Sequence, residues 1–432
     1  MNIISVKKVL IYLFYLIPAF LILGPLLPEL VILLINIIFL IKNFSLKKIK
    51  IYVDKIFFSF TILFGYIFIN SFFQYLSNNL NELLLIKSFA LLRFPLFYLS
   101  SKWLFQNLDK KEIKVFFYIF ISTISFVIFD VIFQYFFGSD IFGFKAFVPG
   151  TPTAYRLTGP FGDELIVGSY LSRFGIVYLF SLICLFKLTK NINEILILIF
   201  LVAVIFIIGE RAAFLLFLFA SVLLFFEKKK LKFLGIYTAL FITLIVIVLN
   251  YDDSIKKRML NYTIFQLNIN LPFIDKSKIN QTFGSKQNRG FLDSPYGAHY
   301  ETAYNIFKDY KIFGAGYKQF RQICGEKKYS IEAKSYLKEN RCSTHPHNLY
   351  LEILSESGII GFLIFLGCIY FLFEGISNNS IRNKYLIIQI LIFFFPLIST
   401  GSFFTNKNLI YLFFIITVSL ILNKKNIKIF ND

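Results

Sequence analysis

The feature that most constrains this chain is a recurrence of apolar runs about as long as a bilayer is thick. A helix needs roughly 20 mostly apolar residues to cross the hydrocarbon core. Runs of that kind lie between polar breaks near 5–24, 26–42, 56–76, 82–101, 113–137, 164–187, 193–209, 211–227, 231–249, 347–373, 384–400 and 407–423. Gly24-Pro25 and Pro28 supply the first turn, and Gly209–Glu210 splits one long run into two. Composition agrees, with 57% hydrophobic and only 16% charged residues, where a soluble domain carries roughly a quarter charged. A soluble enzyme of one or two domains is excluded, as are a disordered chain and a disulfide-stapled secreted peptide. The expectation is an all-α polytopic membrane protein with about 12 transmembrane helices. The first run lacks a small-residue cleavage site and reads as a retained span.

A net charge of +20 then asks for a topological explanation before a nucleic-acid one. With both termini on the cytoplasmic side, the inward connections hold Lys7, Lys8, Lys187, Lys190, Arg382, Lys384, Lys424, Lys425 and Lys428, with lysine clusters at 42–55, 102–114 and 228–232. The short outward connections hold only Lys145, Arg156, Arg211 and Lys407. This is the asymmetry of the positive-inside rule, and long loops such as 250–345 are exempt from it. The chain divides as 1–249, a membrane bundle of about nine spans; 250–345, an exterior segment between helices nine and ten; and 346–432, a bundle of three spans. Lys87, Arg93 and Arg173 fall within spans, where a charge is costly unless it faces a partner or a wet cavity. Snorkelling to an interface is the plain alternative, above all for Lys87.

In the exterior segment, Tyr300–Asp309 reads as a short amphipathic helix and Ile331–Glu339 as a polar one, with a turn at Gly314 and Gly316. Cys184 and Cys368 fall inside spans as small apolar fillers. Cys324 and Cys342 lie outside, in oxidising territory, and are disulfide candidates. Closing that loop would contribute about 3 kcal/mol in the chain-entropy model. A zinc site built from two Cys and two His is the competing reading, without Cys-x-x-Cys spacing to support it.

Chemistry concentrates at His345-Pro346-His347-Asn348-Leu349-Tyr350-Leu351-Glu352, which continues through Glu356, Gly358 and Gly361 into the tenth span. All three histidines of the chain, His299, His345 and His347, lie in or beside the exterior segment. A histidine near its usual pKa of about 6.5 can take a proton from a hydroxyl nucleophile. Asn348, Glu352 and Glu356 recur every four residues and share one helical face. Gly358 and Gly361 suit close helix–helix packing. Taken alone, the motif also fits a solvated turn with ordinary interfacial polar residues. Arginines weigh against that. Arg156, Arg173 and Arg211 lie toward the outer face, Arg93 deeper, and Arg289 and Arg321 in the exterior segment. Converging guanidiniums make a site for a multiply charged anion such as a diphosphate.

These motifs resemble the O-antigen ligase/polymerase superfamily. The resemblance rests on the His-Pro-His-Asn-Leu-Tyr-Leu-Glu signature with its later Glu and Gly-x-x-Gly. It rests too on the approach His299…Lys308-Asp309…Gly314-Ala315-Gly316…Phe320. Gly209-Glu210-Arg211-Ala212-Ala213 is similar to the family's Ser-Arg-Gly step, with Glu210 where Ser is usual, and Arg156-x-x-Gly159-x-Phe161 to its Arg-x-x-Gly-x-Phe loop. A carboxylate at 210 weakens a positive cradle unless it is paired.

The resemblance implies a metal-independent inverting glycosyltransferase of the bacterial inner membrane, without cofactor, serving lipopolysaccharide or surface polysaccharide biosynthesis. It would move a glycan from undecaprenyl diphosphate to an acceptor hydroxyl, on lipid A core or a growing glycan, at the periplasmic face. By the same resemblance His347 is the catalytic base. Asn348 follows it as in the family, and Arg211 and Arg289 hold the diphosphate. The reading of the residues themselves adds His345, Glu352, Glu356 and His299 as supporting groups and Arg156, Arg173 and Arg93 as further diphosphate-binding candidates. An O-antigen polymerase would use the same donor. A flippase for the same lipid-linked oligosaccharide is a reading from another class, against which stand the absence of a repeat and the gathering of ionisable residues toward one face. A structural component of envelope assembly is a third reading.

Overall fold

The computed structural model describes residues 3–43, 45, 49–77, 79–146, 155–188, 190–227, 231–267, 294–331, 341–376, 381–396 and 401–422. Among them the named elements are all helical, and an isolated antiparallel bridge joins Ser139 and Lys145. A described helix falls within each of the apolar runs read from the sequence. Six are long and apolar enough to cross a membrane: Lys55–Leu76, Glu82–Leu104, Lys110–Phe137, Val167–Phe186, Lys232–Tyr251 and Leu349–Ile376. Four apolar helices are shorter: Asn191–Ile207, Arg211–Phe226, Lys384–Phe393 and Asn406–Leu422.

The chain forms two compact units. The first comprises Met1–Leu108, Leu292–Asn379 and Pro396–Lys424, and the second Asp109–Phe291, Ser380–Phe395 and Lys425–Asp432. The segment 250–345 is thus shared out, its start joining the second unit and its end the first. Sequence proximity cannot reveal this, because packing partners decide it. Ile381–Phe393 packs on Val167–Phe186, where Gln389 accepts from Ile176 N (3.0 Å) and donates to Ser172 O (3.2 Å).

Within the first unit, Asn406–Leu422 is buried on nearly every side, as expected for a helix that is apolar all round. Phe413 and Phe414 meet Phe94 and Phe14 with ring centroids 5.5 and 5.0 Å apart. The span Glu82–Leu104 is broken at Leu91–Leu92, between Glu82–Ala90 and Arg93–Leu104. Pro95 has no N–H to continue the ladder, and Phe94 N turns back to Leu91 O (3.1 Å). The Ala90 carbonyl is taken up by Arg93 Nη1 (2.5 Å).

Leu349–Ile376 is also two helices in one, bent at Gly358, which has φ +65°. The stretch 311–316 lies against the bend. Ala315 N and Gly316 N donate to the Ser355 and Glu356 carbonyls (2.8 and 2.9 Å), while Ile359 N donates to Lys311 O (2.9 Å). Gly314 and Gly358 make this crossing possible. A Cβ on Gly314 would stand 2.3 Å from the Glu356 carbonyl carbon, and one on Gly358 would stand 2.2 Å from Ile312 O. The expected helix–helix role therefore belongs to Gly361, against Tyr66 of Lys55–Leu76, while Gly358 serves a chain crossing. Tyr66 Oη and Asn70 Nδ2 donate to Ser357 O (2.9 Å) and Phe313 O (2.8 Å), fastening the crossing to a third element.

The amphipathic helix expected over Tyr300–Asp309 runs from Pro295 to Asp309, capped by Ser294 Oγ accepting from Gly297 N (3.1 Å). Residues 332–340, which hold most of the second expected helix, and Arg289 lie outside the described residues.

Candidate functional site

The first unit gathers the three histidines. The short chain 341–348 brings His345 and His347 up to Pro295–Asp309, which carries His299. The rings of His345 and His347 have centroids 4.1 Å apart, those of His299 and His347 5.5 Å, and Tyr296 meets His347 edge-on at 5.3 Å. His347 has φ +57°, a left-handed conformation uncommon outside glycine and seldom retained without surrounding support. Asn348 supplies part of that support as cap of the helix that follows. Its Oδ1 accepts from Tyr350 N (3.0 Å) and Leu351 N (3.1 Å), and its Nδ2 donates to Pro396 O (2.9 Å). Tyr300 Oη donates to the His347 carbonyl at 3.4 Å. Thr344 Oγ1 lies 2.9 Å from His345 Nδ1, and Ser343 Oγ donates to the His345 carbonyl.

Arg341 was not visible as a site residue in the sequence, yet it organises this corner. Its carbonyl lies 3.1 Å from His299 Nδ1. A carbonyl only accepts, so in the neutral ring Nδ1 carries the proton and Nε2 the lone pair. The Arg341 guanidinium is buried against Pro295–Asp309, paired with Glu301 Oε2 (2.5 Å) and donating to Thr302 Oγ1 (3.2 Å). Its neighbour Cys342 is disulfide-bonded to Cys324. That bond commits both sulfurs to each other and ties the histidine chain to the end of Phe320–Ile323.

The surroundings of His299 and His347 disfavour their charged forms. Burial pushes His347 down to about 3, and His345 and His299 beside it push the same way. Burial also lowers His299, opposed by the hydrogen bond to the Arg341 carbonyl and reinforced by the Arg341 guanidinium. The structure thus departs from the expected histidine near 6.5. The His347 lone pair is fully available at neutral pH, but the ring holds a proton weakly until a negative charge offsets its surroundings. No hydrogen bond to the His347 ring occurs among the described residues, so its nitrogens are not committed to a neighbour there.

Glu352 and Glu356 share the expected helical face but reach other segments. Glu352 accepts from Ser402 Oγ (2.5 Å) and Phe403 N (2.7 Å), ahead of Asn406–Leu422. Glu356 accepts from Lys318 N (2.7 Å) and Phe320 N (3.3 Å). Both are buried and hold chain segments in position. Arg93, grouped with the anion-binding arginines on sequence, forms a two-pronged pair with Glu29 (2.7 and 2.8 Å) and donates to Asn406 Oδ1 (3.1 Å) as well as Ala90. Its fork is occupied in bracing Leu26–Lys42 and the broken span, because a guanidinium at that depth needs a carboxylate partner.

The second unit gathers Arg156, Arg173 and Arg211 around the Gly209–Glu210–Arg211 turn. Gly209 adopts φ +81°, and a Cβ there would stand 2.7 Å from Tyr155 O. Leu157 N donates to Ile208 O (3.1 Å), which holds the Arg156 loop on the turn. Gln134, buried in Lys110–Phe137, shapes that loop by accepting from Thr158 N and Gly159 N, both at 2.9 Å. Phe161 packs on Tyr170 at 5.1 Å.

Glu210 stands where the superfamily has serine, and it is paired. Its Oε2 accepts from Ser169 N (3.0 Å) at the start of Val167–Phe186 and lies 3.9 Å from Arg156 Nη2. Arg173 and Arg258 also act on it electrostatically. Gly168 leaves the room, since a Cβ there would stand 2.6 Å from the carboxylate. Arg211 donates to Thr263 Oγ1 (3.2 Å) and rests over the Tyr262 ring at 4.8 Å. Arg173 lies over Phe393 at 5.4 Å. Arg258 and Tyr262 escaped the sequence reading because a six-residue π-helix, Lys256–Asn261, has no residue signature.

Residues 196–366 match the family model described as O-antigen ligase. That stretch is similar to the O-antigen ligases. The match takes in the Glu210–Arg211 turn, Arg258, the disulfide and all three histidines, and it supports the O-antigen ligase superfamily read from the motifs. Arg156 and Arg173 lie before the matched residues. Among curated proteins no match to the chain is found. The apolar helices together with the family point to a multi-pass membrane enzyme of the ligase/polymerase type, acting on O-antigen-related glycans.

Proposed function

We propose that this chain is an inverting, metal-independent glycosyltransferase of the bacterial inner membrane. It crosses the bilayer twelve times with both termini cytoplasmic, and it moves a glycan from undecaprenyl diphosphate to an acceptor hydroxyl at the periplasmic face. The observation that carries the reading is His347. It is held in a left-handed backbone conformation, kept neutral, and its ring is uncommitted among the described residues, inside a segment matching the O-antigen ligases. The one-sided distribution of Lys and Arg supports the orientation.

In this reading a nitrogen of His347 accepts the acceptor hydroxyl's proton as the oxygen bonds to the anomeric carbon. The bond from that carbon to the diphosphate oxygen breaks on the opposite face, which inverts the configuration. Burial, with His345 and His299 beside it, holds the base neutral beforehand. Arg211, with Arg156, Arg173 and Arg289, stabilises the charge that grows on the departing diphosphate, an interaction strongest in the transition state. Since guanidiniums supply the positive charge, transfer by the purified protein should be unaffected by EDTA, and complete inhibition would overturn the metal-free reading.

The acceptor separates ligase from polymerase. We favour lipid A core because the matching family is described as O-antigen ligase. Deletion followed by a gel of envelope glycans tests this. Loss of all long chains over a normal core supports ligation, cores bearing a single repeat mean polymerisation, and an unchanged ladder removes the chain from this pathway.

A further inference from the structure

The C-terminal end of Lys110–Phe137, in the second unit, carries two acidic side chains that the chemistry above does not use. Asp130 lies about two turns before the left-handed cap Gly138. Beyond that cap the chain closes into a small hairpin. Asp140 N donates to Phe144 O (2.8 Å), Gly143 N to Asp140 O (3.0 Å) and Ala146 N to Gly138 O (3.0 Å). The hairpin folds back on the helix, where Ile141 N donates to Asp130 Oδ1 (2.9 Å) and Gln134 Nε2 to Phe144 O (3.1 Å). Asp140 Oδ1 accepts from Phe144 N (2.6 Å). Since Ile141 follows Asp140 directly, its bond to Asp130 brings the two carboxyl groups together, and they act on each other electrostatically. Gly159 lies beside them, where a Cβ would stand 3.8 Å from Asp130 Oδ2.

Asp130 is 0% exposed and Asp140 2%. Each spends Oδ1 on a backbone N–H, and the Oδ2 of each is buried without a hydrogen-bond donor. Neither carboxylate has an ion-pair partner among the described residues, and Lys145 of the same hairpin is exposed. An ionised carboxylate only accepts, and buried charges are paired or coordinate metals. Two of them side by side call for a divalent cation, because a monovalent one would leave half the charge unanswered. Carboxylate oxygens are hard donors, and calcium accepts them in irregular geometry, whereas magnesium demands a near-ideal octahedron. We propose that Asp130 and Asp140 bind a calcium ion through their Oδ2 atoms and so pin the 138–146 hairpin to Lys110–Phe137. Backbone oxygens and water complete the shell, since calcium takes roughly six to eight oxygen ligands. The ion's role is structural. Gln134, on the same stretch of helix, also holds Thr158 and Gly159 of the Arg156 loop. The assignment does not rest on the glycosyl-transfer reading.

The test uses the full chain in phosphatidylcholine nanodiscs, stripped with EDTA and titrated with calcium chloride. Melting temperature and calorimetric binding are the readouts. The wild type should bind calcium and melt several degrees higher at saturation, because a ligand that binds only the folded chain stabilises it. Asp130→Asn and Asp140→Asn keep each side chain's shape and remove its charge, and each should lose most of that rise. Magnesium at the same concentration should give a smaller rise, and an equal one would overturn the choice of calcium. A wild type that neither binds calcium nor melts higher with it overturns the site, as does a rise that both variants keep. Stabilisation by acid but not by calcium, lost in both variants, would mean that the pair holds a proton, and it too overturns the metal. Should Asp130→Asn fail to fold, Asp140→Asn decides by whether its calorimetric binding is lost. Transfer assayed well below the melting transition should continue in EDTA, so failure of this site and failure of the glycosyl-transfer reading are told apart.

Discussion

The histidine cluster of the first unit and the arginine cluster of the second solve opposite electrostatic problems. The histidines are crowded and largely withdrawn from water, so they shed charge, and His347 is driven far below its ordinary range. Arginines cannot shed theirs. The second unit therefore spends Glu210, the Tyr262 ring and backbone carbonyls on keeping like charges close. Support differs as well. The histidines are held by backbone devices, including the left-handed turn, the Asn348 cap and the Arg341 carbonyl. The arginines are held through side chains. A proton acceptor must be neutral and exact in position, whereas an anion site must be positive and tolerates more spread.

The strongest challenge to this contrast is His347→Ala. Transfer should fall by about 10²–10⁴, the usual worth of general base catalysis, while affinity for undecaprenyl diphosphate stays unchanged. Wild-type transfer by a purified, folded variant would remove the base assignment. Next comes Gly358→Ala, which forces a side chain into the Ile312 carbonyl and strains a positive φ. The expected cost is roughly 2–5 kcal/mol, read as a fall in thermal stability with the arginine cluster's affinity retained. Equal loss of both functions would mean that the two units do not behave separately. Arg211→Ala should weaken donor binding about tenfold or more, and Arg211→Lys should restore only part, because a point charge does not reproduce the planar fork. Full recovery with Lys would reduce the site to simple attraction.

The smallest effect concerns pH. A base held near 3 is already neutral throughout the neutral range, so kcat/KM should show no loss attributable to His347 between pH 7 and 5, and fall only below about 4. His345→Gln removes one neighbour that disfavours the charged ring and should move the acid limb upward, modestly, since burial is the larger cause. Stability follows the same linkage. The unfolded chain binds this proton from about pH 6.5 downward and the folded one only near 3, so His347 makes folding less favourable as pH falls through that window. An acid limb near 6.5 in the wild type would contradict the buried, crowded environment.

Helix identity was legible in the sequence because twenty-residue apolar runs permit little else. The breaks inside the helices were only partly so. The run 82–101 reads as one unbroken span although it contains Pro95, nothing in Gly358-x-x-Gly361 distinguishes a helix contact from a crossing by another chain segment, and the π-helix at Lys256–Asn261 leaves no compositional trace. The same limit applies to the sites. The three histidines could be grouped because chemistry names the residue type. The partner that sets the His299 tautomer is a backbone carbonyl, identical in every residue, and so Arg341 stayed hidden. Arg93 illustrates a related limit. A buried guanidinium demands an anion, and only the fold reveals that Glu29, 64 positions away, already provides it.

The seam where 311–316 lies against the bend at Gly358 also bears on how the protein is assembled. The Lys311 and Ile312 carbonyls and the Ala315 and Gly316 N–H groups meet their partners only after Ser355–Ile360 has taken its bent shape, and that bend lies well along the chain from them. During synthesis the earlier stretch emerges first and must wait, its polar backbone hydrated, until Leu349–Ile376 is installed. Maturation of the histidine cluster is thereby timed to the arrival of a later helix, and a chain truncated before residue 376 should leave that cluster unformed.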